Sequence, residues 1–256
     1  MRIKRVLLGI GGVVLVLVAT PIVAFAVTMA GDSPVKDGEA LGSRAKQVKD
    51  GFVTVGMIDV GSGGVALVDC GNDKDAKAIF GELKKRNMDE SAVKAIFITH
   101  GHADHTMGCA KFPKADVYAM AVEKDLVEGK VGAKGPMPRF FGAKDVGARV
   151  THTLQDGEVV KIGDVDVTAF ATPGHTAGSA TYFADGVLYF GDAASGSKEG
   201  KVTPPKYLFS DDQKQGIASL ESLAKKLEPR ASEVKTLEFA HTGTLSGFEP
   251  LRNFGH

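Results

Sequence analysis

Residues 99 to 105 read Thr-His-Gly-His-Ala-Asp-His, with three histidines and an aspartate inside six positions. Imidazole nitrogen and carboxylate oxygen are donors that zinc and iron accept. A Gly-containing turn lets several such side chains point at one spot. A polar loop with clustered histidines would read the same way, but the chain holds only seven histidines. Further donors lie downstream: His175 in Thr172-Pro173-Gly174-His175-Thr176, Asp192 in Tyr189-Phe190-Gly191-Asp192, and His241 in Phe239-Ala240-His241-Thr242-Gly243. Asp69 ends the run Gly64-Val65-Ala66-Leu67-Val68. Only His152 and His256 fall outside these places.

Each of these donors ends or follows an apolar, alternating stretch and therefore reads as a strand-to-loop junction. The spacing predicts strands over Phe52–Val60, Val65–Val68, Ala95–Ile98, Val165–Phe170, Ala180–Phe183, Val187–Phe190 and Thr236–Phe239. It predicts helices over Asp75–Arg86, with Ala76, Ile79, Phe80 and Leu83 on one face, and over Gln215–Leu227. Gly61-Ser62-Gly63-Gly64 precedes a strand and reads as a hairpin turn rather than a phosphate cradle. No Gly-x-Ser-x-Gly nucleophile elbow is present. Periodicity alone gives a mixed α and β class.

The five motifs, in this order and over about residues 48–250, resemble the metallo-β-lactamase superfamily of hydrolases. The resemblance implies an α+β domain built as a four-layer αβ/βα sandwich. It implies that His100, His102 and His175 bind a first metal, that Asp104, His105 and His241 bind a second, and that Asp192 bridges both. Asp69 would support the metal loop by hydrogen bonding. The implied cofactor is Zn2+, two per chain, with iron as the alternative. Two divalent cations roughly 3.5–4 Å apart share a hydroxide that attacks a carbonyl, and metal binding lowers the pKa of water to about 7. Asp104 would also be catalytic, orienting that nucleophile.

Within the superfamily, Asp192 points to the glyoxalase II and lactonase branch, because true β-lactamases of this type generally lack a bridging aspartate. The chain ends soon after His241, so a glutathione-gripping helical domain, and with it that substrate, is not expected. The leading expectation is a hydrolase of an ester, lactone, thioester or amide. The alternatives are a persulfide-dioxygenase-like oxidoreductase, with one iron on His100, His175 and Asp192, and an inactive membrane-tethered binding protein.

At the N-terminus, Arg2, Lys4 and Arg5 precede an uncharged, mostly apolar stretch from Val6 to Ala30. That length suffices to cross a bilayer and exceeds the usual signal-peptide core. The basic flank is expected to stay in the cytoplasm. Residues 1–30 are thus read as a transmembrane anchor or signal segment, 31–45 as a linker, and 46–256 as one catalytic domain, placed outside the cytoplasm. The small residues around Ala24-Phe25-Ala26 and Thr28-Met29-Ala30 also fit cleavage and secretion. The net charge is zero overall, but beyond residue 30 it is 28 basic against 31 acidic residues, a net of −3. With no basic, aromatic-rich cluster, nucleic acid is not an expected partner; a small molecule and, through the N-terminal segment, a membrane are.

Cys70 and Cys109 each lie beside a motif. An oxidising compartment allows a disulfide between them, and two buried thiols are the other reading. The Gly- and Lys-rich segment 121–150 reads as an insertion carrying specificity. Within it, Met137, Phe140 and Phe141 either wall the pocket or pin the loop to the core, and Arg139 could meet an anion. Lys201, Lys206 and Tyr207 are further candidates near the site.

Overall fold

The computed structural model describes residues 27–255. The chain divides after Gly31 into two units. Most of the expected membrane span lies outside the described residues. Among the described residues, no helix is long and apolar enough to cross a membrane.

The second unit holds two six-stranded sheets. The first orders β1 (Ala45–Asp50), β2 (Val53–Gly61), β3 (Gly64–Val68), β4 (Val93–Phe97), β5 (Asp116–Met120) and β6 (His152–Leu154) side by side. β1, β2 and β3 pair antiparallel, and β3 through β6 pair parallel. The next strands in the chain are β7 (Val159–Ile162), β8 (Val165–Ala171), β9 (Ala180–Ala184) and β10 (Val187–Tyr189). After the small hairpin of β11 (Ser195–Gly196) and β12 (Val202–Thr203) come β13 (Thr236–Glu238) and β14 (Leu245–Ser246). The second sheet runs β14-β13-β10-β9-β8-β7, with only β10 and β13 parallel.

Period-two alternation sends the side chains of each sheet to two different cores. Between the sheets, Ala66, Val68, Ala95 and Phe97 meet Val167, Ala169, Tyr182 and Tyr189. On the outer face of the first sheet, Val65, Leu67, Val93 and Ile96 pack under Ile79 and Leu83 of the helix Lys77–Lys85. On the outer face of the second, Phe183, Leu188 and Leu237 pack under Leu220, Leu223 and Leu227 of the helix Gln213–Leu227. Each buried leucine contributes roughly 2 kcal/mol. Asp212 caps that helix by accepting from the Gln215 N–H at 3.0 Å. The layers are helix, sheet, sheet, helix, so the expected mixed sandwich is observed.

The segment 31–45 is irregular, as a connector should be, but it is tied down from Asp32 onward. The Ser33 N–H donates to the Gly196 carbonyl at 3.0 Å, the Gly243 N–H donates to the Ser33 carbonyl at 3.0 Å, and Leu41 is buried. Cys70 and Cys109 form a disulfide, with Cα atoms 5.2 Å apart. It fastens the turn after β3 to the segment behind His105, where the Cys70 N–H also donates to the His105 carbonyl at 2.7 Å.

Candidate metal centre

Strand direction explains why distant motifs meet. β3 and β4 run parallel in one sheet, and β8, β10 and β13 share a direction in the other. Their carboxyl ends release Asp69, the 99–105 loop, His175, Asp192 and His241. Ligand sites of open sheets with co-directional strands form at such ends. Gly191 adopts a positive φ of 54°, and a Cβ there would lie 2.3 Å from Thr99 Oγ1, so only glycine lets the two loops close around Asp192.

All seven side chains expected as ligands converge. They form three overlapping groups: His100, His102 and His175; His100, His105 and Asp192; Asp104, His105 and His241. Within each group the candidate donor atoms lie within 4.8 Å of one another. His175 Nε2 stands 3.1 Å from His100 Nε2 and 3.0 Å from His102 Nδ1. His241 Nε2 stands 3.3 Å from Asp192 Oδ2 and 3.4 Å from Asp104 Oδ2.

The outward hydrogen bonds fix four imidazole tautomers. His105 Nδ1 faces Asp69 Oδ2 at 2.7 Å, and a carboxylate only accepts, so Nδ1 carries the proton. His241 Nδ1 faces the Phe52 carbonyl at 2.9 Å, with the same consequence. The Ser210 hydroxyl donates to the Lys206 carbonyl at 2.8 Å and therefore accepts from His175 Nδ1 at 3.2 Å. The Thr99 hydroxyl donates to Asp69 Oδ2 at 2.7 Å and accepts from His100 Nδ1 at 3.1 Å. In its neutral form each ring of this quartet therefore turns the Nε2 lone pair, the one a metal would take, toward the centre. His105 Nε2, His102 Nε2 and Asp192 Oδ1 are buried without any hydrogen-bond partner. Buried polar atoms left unpaired are costly unless something else satisfies them, and a cation would. Asp69 holds the loop as expected, also accepting from the Thr99 N–H at 2.8 Å.

Charge divides the centre in two. Burial drives His100 well below the usual imidazole range, lowers His102, and pushes His175 down to about 3. That half stays neutral, the form in which imidazole ligates. In the other half, burial opposes charge but loses to the neighbours. His105 and His241 hold Asp104 at about 2, and His241 and His105 keep Asp192 well below the carboxylate range. Asp192, Asp104 and Asp69 raise His105 to about 9, and Asp192 with Asp104 raises His241 well above the usual imidazole range. A pocket that favours protons on its imidazoles this strongly also favours a metal cation there.

Some supports carry no motif. The Phe52 carbonyl and Ser210 are seen only in the fold, and so is Glu123, whose carboxylate accepts from both histidine-bearing loops. Among the loop candidates, Phe140 and Phe141 are 77% and 75% exposed, so they do not pin the segment to the core. The Arg139 guanidinium lies over the Phe140 ring at 5.1 Å. The segment reaches the site side through its backbone: the Met137 N–H donates to the Leu208 carbonyl at 3.0 Å and the Lys134 N–H to Asp211 Oδ1 at 3.0 Å. Lys206 is paired with Asp32 at 2.5 Å, and Tyr207 is exposed. His152 stays remote, stacked on Tyr118.

The hydroxyacylglutathione hydrolase of Vibrio cholerae is 29% identical over 162 residues, covering 62% of this chain and 51% of that protein. That of Salmonella gallinarum is 35% identical over 103 residues, covering 39% and 32%. The chain thus spans about half or less of the length of these curated relatives. Among solved structures, a B3 metallo-β-lactamase with an active-site glutamic acid is similar over 90% of both chains, at 23% identity and a TM-score of 0.65. The subclass B3 enzyme BJP-1 of Bradyrhizobium japonicum covers 84% of this chain and is covered over 81%, at 23% identity and a TM-score of 0.60. These two likenesses concern the fold. The model of the metallo-β-lactamase superfamily matches residues 48–231, a span that contains both sheets' donor loops up to Asp192. That match covers well over half of the chain, and the chain belongs to the metallo-β-lactamase superfamily.

Proposed function

We propose that this protein is a hydrolase with two zinc ions per chain, acting on an ester, lactone, thioester or amide carbonyl of a small molecule. The observation that carries the reading is the convergence of seven donors, four of them imidazoles whose Nδ1 is already held by a hydrogen bond outside the cluster, with His102 Nε2, His105 Nε2 and Asp192 Oδ1 buried and unpartnered inside it. His100, His102 and His175 would hold one ion, Asp104, His105 and His241 the other, and Asp192 would touch both. Bound zinc would supply Lewis acidity and a water acidified to near neutrality. The chain's own part is to orient and to hold protons. Asp69, Phe52, Ser210 and Thr99 keep the Nδ1 protons outward. Asp104, ionised at neutral pH, accepts a proton or a hydrogen bond at Oδ2 and orients the attacking water. Burial of the cluster excludes bulk solvent from its inner side.

The named activity of the curated relatives, hydroxyacylglutathione hydrolysis, supports a thioester as the first substrate to try. The iron alternative uses His100, His175 and Asp192 only. It is disfavoured by His102, whose Nδ1 stands as close to His175 Nε2 as His100 does. Metal analysis of the purified protein with a panel of thioesters, lactones and esters tests the reading. About two zinc per chain with hydrolysis supports it. One iron with oxygen uptake on a persulfide overturns it, and no bound metal supports a binding role instead. His102→Ala should abolish hydrolysis while preserving the fold.

The proposal includes an extracytoplasmic domain tethered by, or released from, residues 1–30. The Cys70–Cys109 bond supports that setting, since disulfides persist in oxidising compartments. Fractionation with sequencing of the mature N-terminus tests it: cytosolic recovery of the whole chain would refute it.

A further inference from the structure

One buried carboxylate lies outside the expected ligand set yet touches both histidine-bearing loops. Glu123 ends the 3-10 turn Ala121–Glu123 that follows β5 and is 1% exposed. Its Oε1 accepts from the Gly101 N–H at 2.8 Å and from the Thr176 hydroxyl at 2.7 Å. Its Oε2 accepts from the Gly178 N–H at 2.8 Å. Among the described residues no ion pair involves it, so these three donors hold the group in the interior. Gly101 separates His100 from His102, and Thr176 follows His175. The first loop leaves the first sheet and the second leaves the other, so one carboxylate bridges the sheets at the level of the three histidines.

We propose that Glu123 is a positioning residue that clamps the His100–His102 loop to the His175 loop and so sets the spacing of the three-histidine half of the centre. The inference rests on the two-metal reading above. A Cβ at Gly178 would lie 2.6 Å from the Glu123 N and Oε2 atoms, so the second loop runs in direct contact with the clamp. Two acceptor oxygens face three donors, an arrangement that an amide cannot copy. In Glu123→Gln the NH2 group must confront either the Gly178 N–H or the pair from Gly101 and Thr176. One loop is then released, and ligand groups need placement to about half an ångström.

The test is titration of chelator-stripped protein with Zn2+ against a chromophoric competitor, and with Co2+ followed by its visible ligand-field bands. Wild type should take up two equivalents. Glu123→Gln should weaken one equivalent roughly 10–100-fold, as loss of groups that orient ligands does, with altered Co2+ bands, and leave the other within about threefold. Thr176→Val, nearly isosteric, removes one of the three donors and should weaken the same equivalent several-fold. It serves as the readout if Glu123→Gln does not fold. Two wild-type equivalents with unchanged affinities and Co2+ bands in the variants would overturn the clamp alone, even if metal-free stability fell. A wild type that takes up no metal would overturn the two-metal reading and the clamp with it.

Discussion

Replacing Asp69 with asparagine tests what holds the His105 side of the centre. Asp69 Oδ2 accepts from His105 Nδ1 and from the Thr99 hydroxyl, both at 2.7 Å, and Oδ1 accepts from the Thr99 N–H at 2.8 Å. Its φ is 65°, a left-handed conformation that asparagine also tolerates, so backbone strain does not confound the change. The amide nitrogen must face a donor either way round. Turned toward Thr99 N–H, it orphans that buried N–H. Turned toward His105, it drives the proton from Nδ1 to Nε2 and caps the lone pair that faces Asp192 and Asp104. A hydrogen bond to a charged group is worth about 1.5–3 kcal/mol. At ~1.4 kcal/mol per factor of ten, a loss near 2 kcal/mol is about 30-fold. The metal equivalent held by His105 should therefore weaken roughly 30-fold, and the three-histidine equivalent by less, because Asp69 reaches His100 only through the Thr99 hydroxyl. Competition titration reads the affinities, and 15N shifts of His105 read its tautomer. Unchanged affinity for both equivalents, with Nδ1 of His105 still protonated, would refute the argument.

Three further outcomes follow from packing and charge. Glu238 is buried, which raises its carboxyl to about 7 from 4.5, against the hydrogen bonds from Gln47 and Thr54 that lower it. A carboxyl raised in the folded state stabilises the fold below pH 4.5, and that stability is lost as pH climbs from 4.5 through 7. The loss approaches ~3 kcal/mol by pH 8. Glu238→Gln should thus raise Tm by about 6–10 °C at pH 8.5 and far less at pH 5; a gain of equal size at both pH values would count against it. The Cys70–Cys109 bond closes a loop with a sequence separation of 39, worth ~4 kcal/mol in the chain-entropy account. Cys70→Ala/Cys109→Ala should lower the denaturant midpoint accordingly, and two reactive thiols in denatured, unreduced wild type would remove the premise. Phe140→Ala and Phe141→Ala, at exposed positions, should alter stability by less than ~0.5 kcal/mol, so any rise in KM for apolar substrates reports contact with substrate; a large loss of stability would show a packing role instead.

Much of this site was legible in the chain because its signals are local. A strand reads from alternation over five residues and a turn from its glycine, and the donor types at the strand ends carry the chemistry themselves. The runs read as Val65–Val68 and Val165–Phe170 became β3 and β8 with at most one residue added at an end. The close approach of Gly191 to Thr99 is different: no local pattern states it. Asp69 was legible as a support because its place in the motif order matched.

Other features depend on which strand lies beside which. Periodicity cannot state that β13 pairs parallel with β10, and without that pairing His241 has no reason to meet Asp192. Glu123, Ser210 and the Phe52 carbonyl are ordinary groups in any sequence; they matter because a crossing of 53, 35 or 189 residues brings each to a histidine loop. The disulfide and the docking of residues 32–34 are of the same kind. The sequence by itself determined the donors, their order and the strands that end in them, since these are set by residue type and short-range pattern. Tertiary structure alone decided the partners that fix each imidazole's proton and the spacing of the three histidines, because both are distances between segments that only the packed sheets bring together.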